Sequence, residues 1–219
     1  MAWAETYKVW TTDYWAKVIW TDECAFNVGG APGRVWVART VEEEFDDSCL
    51  LPKFKKLDSI IVWGCFIGRK KGPLIIWDKK EWGKTINAKG YQTHIIPHVD
   101  QFWQDQSADT QDYVYIQHDN SSPHRARTTV TDLQDRGLYN YLMPWPATSP
   151  DLNLIEAVWR LIKSRISKLL PRPQNNKDMI AAIHTQWEAL TEFELGQILD
   201  TMVDRVDAVI SANGGHTKF

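Results

Sequence analysis

Three cysteines in 219 residues, odd in number and without paired spacing, rule against a disulfide scaffold or a cysteine-based zinc module. Cys24, Cys49 and Cys65 are therefore expected to be reduced, mostly buried thiols, which fits an intracellular protein. No apolar run approaches the length of a membrane span, and the N-terminus lacks a signal-peptide pattern. A Gly-x-Ser-x-Gly elbow is missing, which excludes that class of serine hydrolase, and no glycine loop is built to cradle phosphates. Net basic charge is absent too. The formal charge is −3, so any nucleic-acid site must be a local patch. Residues 174–219 hold 3 Lys+Arg against 7 Asp+Glu, which leaves 22 against 21 in residues 1–173 and confines such a patch to that part.

What is present is an ordinary globular composition, 43% hydrophobic and 24% charged, long enough for one sizeable core. Twelve tryptophans are many for this length, and their expected role is packing in the core and along groove walls. Lys17–Cys24 and Ser59–Ile67 read as buried strands, Pro73–Trp77 as a third, and residues 35–39 as a further neighbour. Residues 45–58 read as a long loop. From Asn87 to about Gln104 the apolar period becomes helical, interrupted or kinked at Pro97. A strand at 113–118, a helix at 125–136 and a short strand at 139–143 closed by Pro144 follow. The clearest helix is Asn153–Leu170, and an acidic helical region spans about 176–211. The order predicts an α/β fold with a mixed sheet and helices added in its second half.

Three acids stand at the edges of these apolar elements. Asp22 follows Val18-Ile19-Trp20, Asp119 follows Tyr113–Ile116, and Glu156 sits just inside the helix opened by Ser149-Pro150-Asp151-Leu152-Asn153. Carboxylates at the rim of a hydrophobic sheet are costly unless something positive meets them, and hard oxygen ligands suit Mg²⁺ or Mn²⁺. Two such ions about 3.5–4 Å apart would supply phosphodiester hydrolysis. Each acid also has a structural explanation: a turn residue at Asp22, a loop or cap residue at Asp119, a pairing with Arg160 at Glu156. Spacing alone leaves both explanations open. His94 and His98 have a zinc-binding spacing, but no HExxH pattern accompanies them and Pro97 distorts the turn between. His124, near Asp119, is the histidine kept as a support for the acids, with Asn120 beside it.

Taken in order, the stretches VIWTDECAFNV, VWVAR, SIIVWGCFIGRKKGPLIIWD, INAKGYQTHIIPHV, QHDNSSPH and WPATSPDLNLIEAVW resemble the catalytic domain of mariner-type transposases, the cut-and-paste enzymes with an Asp-Asp-Glu triad. They cover about residues 17–170. The resemblance implies a ribonuclease-H-like fold with a mixed five-stranded sheet over residues 1–170. It implies an insertion of the clamp type at 27–57, and residues 171–219 are then read as a helical extension packing on the same domain. It implies Asp22, Asp119 and Glu156 as catalytic and metal-binding residues for two Mg²⁺ or Mn²⁺ ions. The implied activity is a DNA endonuclease and strand transferase: hydrolysis at transposon ends, then 3′-hydroxyl attack on target DNA. DNA is the implied partner, a homodimer is compatible with it, and neither a membrane nor a small-molecule substrate is expected. In a eukaryotic host the protein would be nuclear. Lys53, Lys55, Lys56, Arg125, Arg127, Arg160 and Lys163 are candidate phosphate contacts. Helix-turn-helix domains usual in the family have no counterpart before Asp22, so the expectation is a catalytic domain only. A transposase-derived scaffold that no longer cuts is the alternative.

Overall fold

The computed structural model describes residues 1–29, 40, 58–110, 112–147 and 149–219. Two short helices, α1 (Ala2–Tyr7) and α2 (Thr12–Trp15), lead into β1 (Val18–Asn27), β2 (Ser59–Ile67) and β3 (Lys70–Ile76). Helices α3 (Ala88–His94) and α4 (Ile96–Thr110) precede β4 (Tyr115–Ile116). Then come α5 (Ser122–Arg125), α6 (Arg127–Asp135), α7 (Ile155–Ser167), α8 (Asn176–Glu188) and α9 (Glu192–Ser211).

Among the described residues the sheet has the order β3-β2-β1-β4, with β1, β2 and β3 antiparallel and β4 parallel to β1. Alternation along the strands divides the core between its two faces. Val18, Trp20, Val62 and Phe66 face one side and pack with Val158, Trp159, Ile162, Ile183, Trp187 and Leu199 of α7, α8 and α9. Ile19, Trp63, Cys65 and Ile75 face the other and pack with Tyr91, Ile95, Ile96 and Phe102. Covered on both sides, β2 has no polar face to show, which is why Ser59–Ile67 reads as a continuous apolar run. The edge strand β3 can hold Pro73 because an edge residue need not donate to a neighbour.

Several elements differ from the sequence expectation. The strand expected at 113–118 pairs only through Tyr115 and Ile116, opposite Val18 and Ile19. The strand expected at 139–143 is a 3₁₀ turn at Tyr139–Tyr141 followed by one parallel bridge, Ile116 to Leu142. Leu138 is buried while Tyr139 and Asn140 face solvent, so the segment is anchored at one point, and Pro144 cannot extend the pairing. The described sheet therefore has four strands where five were expected. The helix expected at 125–136 breaks at Ala126, whose backbone is extended, and the segment from Asn87 breaks at Ile95, leaving Pro97 in the tolerant first turn of α4. The strand expected at 35–39, the long loop as far as residue 57 and Cys49 lie outside the described residues; Cys24 and Cys65 are buried free thiols.

Candidate active site

Asp22 lies within β1, not at its end. Its neighbour on one side is β2, where Gly64 is its partner in register. On the other side β4 leaves after Ile116, so among the described residues β1 has no strand on that side from Thr21 onward. Side chains take over there. Gln117 Oε1 accepts from the Thr21 amide at 3.1 Å, and Asn153 Nδ2 donates to the Thr21 carbonyl at 3.1 Å and to Asp22 Oδ2 at 3.0 Å. Asp22 Oδ1 accepts from the Glu23 amide at 2.7 Å. Burial pushes the Asp22 carboxyl up to about 8; the charge of Glu23 and then those of Glu156 and Asp119 add to the rise, against the amide bond that lowers it.

Asp119 follows β4 in a turn built by its own side chain, with Oδ1 accepting from the Ser121 amide at 2.9 Å. The same oxygen meets His124 Nδ1 at 2.5 Å. His124 is buried, stacked on His118 with ring centres 4.1 Å apart and tilted against Tyr91 at 4.2 Å. Its Nε2 lies 3.4 Å from Glu23 Oε1, a charge contact and not an aligned hydrogen bond. Burial alone would disfavour the imidazolium, but the contacts to Asp119 and Glu23 outweigh it and raise His124 to about 9. Burial likewise works against the Asp119 anion, yet the bond and charge of His124, with the bonds from Ser121, hold that carboxyl well below the usual range. His118 is lowered to about 3 by burial and by the adjacent His124.

Glu156 occupies the first turn of α7, an N-terminal position that favours a carboxylate. Buried Ile155, Val158, Trp159, Ile162 and Ile166 fix the helix on the sheet, with Glu156 half-buried at the margin of that stripe. Among the described residues no ion pair joins Glu156 to Arg160. A cavity of about 420 Å³ is lined by Asp22, Asp119, Asn120, Arg125, Trp145 and Asn153. Glu156 and Arg160 instead line an adjoining cavity of about 750 Å³, which shares the wall Pro146, Ala147, Ser149 and Pro150. Asp22 and Asp119 thus share one cavity and Glu156 the next, and the three acids are not gathered onto one point. Among the described residues no three His, Cys, Asp or Glu side chains are grouped so as to hold a metal ion.

The remaining residues separate. Asn120 Nδ2 donates to the Trp145 carbonyl at 2.8 Å and so ties the Asp119 turn to the cavity wall. Arg127 lines a separate surface hollow with Gln92, Thr128 and Arg136, and Lys163 sits 5.4 Å from the Phe26 ring centre. His94 stacks on Trp82, ring centres 4.0 Å apart. Lys53, Lys55 and Lys56 lie outside the described residues. Sequence reasoning missed Glu23, Gln117 and Asn153. Adjacency to Asp22 and Asp119, and a place in the Ser-Pro-Asp-Leu-Asn block, were the only signals they gave.

The DDE superfamily endonuclease family matches residues 79–180. The Tc1 transposase of Caenorhabditis elegans is 31% identical over 224 aligned positions, covering 100% of this chain and 76% of the relative. Among solved structures, the Mos1 transposase catalytic domain with raltegravir and Mn superposes with a TM-score of 0.71 at 14% identity, covering 99% of this chain and 92% of that one. A pre-cleavage Mos1 transpososome gives 0.74 at 14% identity, over 98% of this chain and 60% of the other. The fold is the ribonuclease-H-like fold of that catalytic domain.

Proposed function

Since the chain belongs to the mariner-type transposases with a DDE endonuclease domain, we propose that it cuts DNA at transposon ends and joins the freed 3′-hydroxyl to target DNA. The observation that carries this reading is that Asp22 from a strand and Asp119 from a turn line one cavity, while Glu156 from a helix lines the cavity that adjoins it. Burial and neighbouring acids disfavour Asp22 as an anion, a setting that a divalent cation reverses. Carboxylate oxygens are the donors Mg²⁺ and Mn²⁺ prefer, so the acids fit in donor type the cations the resemblance implies, although among the described residues the three are not grouped about one point. Asp22, Asp119 and Glu156 would hold the ions. A bound pair supplies a Lewis acid for the attacking oxygen and charge stabilisation for the leaving one.

The chain's own residues do the positioning. His124 orients Asp119 and balances it against Glu23, so that Asp119 is presented as an anion at the cavity. Asn120 fastens that turn to Trp145, and Arg125, on the same cavity, is suited to a backbone phosphate. Hydrolysis breaks a phosphodiester bond and leaves a 3′-hydroxyl. In the joining step that hydroxyl attacks a target phosphodiester and a target 3′-oxygen leaves, so bonds formed equal bonds broken. In this reading residues 1–170 are the catalytic unit, 27–57 its insertion and 171–219 an extension on it; a eukaryotic host would make the site of action nuclear.

The test is cleavage of duplex DNA with Mg²⁺ or Mn²⁺, comparing the parent with Asp119→Ala and Glu156→Gln. Both variants should lose about a hundredfold or more, since the chemistry asks several kcal/mol of the metal site. Equal activity in all three proteins, or none in any, overturns the reading and favours a silent scaffold.

A further inference from the structure

Asn153 is buried and makes three hydrogen bonds through its side chain and two through its main chain. One amide hydrogen goes to the Thr21 carbonyl and the other to Asp22 Oδ2. Its Oδ1 accepts from the Ile155 amide at 3.4 Å, and its backbone carbonyl accepts from the Glu156 amide at 3.2 Å. Its side chain therefore holds one acid of the candidate triad while its main chain starts the helical turn that carries another.

The reason an amide is needed lies in the sheet. Past Ile19, β1 has lost β4, and its Thr21 N–H and C=O would be buried without partners, which is costly. Gln117 takes the N–H and Asn153 takes the C=O, so two buried side-chain amides act in place of a strand. Of the two amides it is Asn153 whose Nδ2 reaches Asp22, while Gln117 Nε2 makes no hydrogen bond among the described residues. A carboxylate there would add a charge beside Asp22, and an alcohol has one hydrogen where two are used.

We propose that Asn153 is the positioning residue that fixes Asp22 relative to Glu156 for divalent-metal binding, an inference resting on the catalytic reading above. Asn153 holds Oδ2 and the Glu23 amide holds Oδ1, so both oxygens of Asp22 are fixed where the residue lines the cavity.

The test is direct titration of the full chain with Mn²⁺, read calorimetrically and without DNA, for the parent, Asn153→Ala, Gln117→Ala and Asp119→Ala. Gln117→Ala removes the same kind of bond to Thr21 without touching Asp22, so it reports the purely structural lesion. Mn²⁺ affinity should fall roughly 10- to 100-fold in Asn153→Ala, as for residues that orient metal ligands, and stay within about threefold in Gln117→Ala. Asn153→Ser, a small polar replacement whose hydroxyl lies nearer the backbone than the Nδ2 that makes both bonds, serves if the alanine variant does not fold. Parental affinity in a folded Asn153 variant, or an equal loss in Gln117→Ala, overturns the inference and leaves the catalytic reading standing. If the parent and Asp119→Ala fail alike to bind Mn²⁺, the catalytic reading falls first and the inference with it.

Discussion

Gly64 lies directly across the strand pair from Asp22, and the space a side chain would take there is filled by the indole of Trp159. A Cβ on Gly64 would come within 2.8 Å of Trp159 Cη2 and 3.0 Å of Trp187 Cη2. The two indoles stack with ring centres 5.4 Å apart, so neither is free to move aside. Trp159 stands one helical turn after Glu156, and its contact with β2 sets the height of α7 above the strand that carries Asp22. The site's geometry is thus a packing result before it is an electrostatic one.

Gly64→Ala should therefore destabilise the fold by about 1–3 kcal/mol through overpacking, even though alanine is by itself the better strand residue. Denaturant melts measure this. Cleavage should fall further than the lost stability accounts for, because α7 is lifted with Glu156 on it. Stability unchanged within about 0.5 kcal/mol would mean that Trp159 relaxes freely and does not fix the helix.

A second tie, between Asp58 and Asn176, joins the start of β2 to α8. Asn176 Nδ2 donates to Asp58 Oδ2 at 2.5 Å and the Ser59 amide to Oδ1 at 2.9 Å; these bonds, with Lys79 near, hold the carboxyl below its ordinary value of 3.8. A carboxyl whose pKa is lower folded than unfolded binds fewer protons when folded. Its stabilisation is in place above the unfolded value and is lost as the pH falls through the folded one. Asn176→Ala should be less stable than the parent by an amount that is steady from neutral pH to about pH 5 and shrinks toward about pH 3. Urea melts across that range decide it, and a gap that widens on acidification contradicts the assignment.

The strands β1, β2 and β3 and the helix α7 were legible because each carries a strong period, or an apolar run bounded by turn residues. The short β4 and the missing strand at 139–143 were not. Periodicity reports which residues are buried, but it cannot say where a neighbouring strand stops pairing. The same blindness hid Gln117 and Asn153, whose role exists only because β4 leaves β1 after Ile19. His124 could be picked out by its closeness in sequence to Asp119. Glu23 could not be assigned its contact with His124, because register decides which way a residue beside Asp22 points.

His124 is the buried group that separates Asp119 from Glu23, and removing it leaves two carboxylates facing each other. His124→Ala should cost about 1–3 kcal/mol of stability, more than a neutral hydrogen bond, with both acids partly exposed and so partly relieved by water. Glu23→Gln in the same background should recover part of the loss, giving a coupling of at least about 0.5 kcal/mol in a double-mutant cycle. Strict additivity of the two substitutions would mean that Glu23 takes no part in the network and that Asp119 alone holds the imidazole.

Two arginines two residues apart offer the sharpest probe of where DNA lies. Arg125 lines the cavity of Asp22 and Asp119, while Arg127 opens onto a different hollow beside α3. If the scissile strand enters at the acids, Arg125→Ala should weaken duplex binding on unrelated sequences alike and reduce the slope of log K against log salt by about 1. Arg127→Ala should change neither by a comparable amount. Fluorescence anisotropy at several salt concentrations separates the two. A larger effect at Arg127 would move the DNA path to the α3–α6 surface, away from the cavity that Asp22 and Asp119 line, and would count against the triad as the cutting centre.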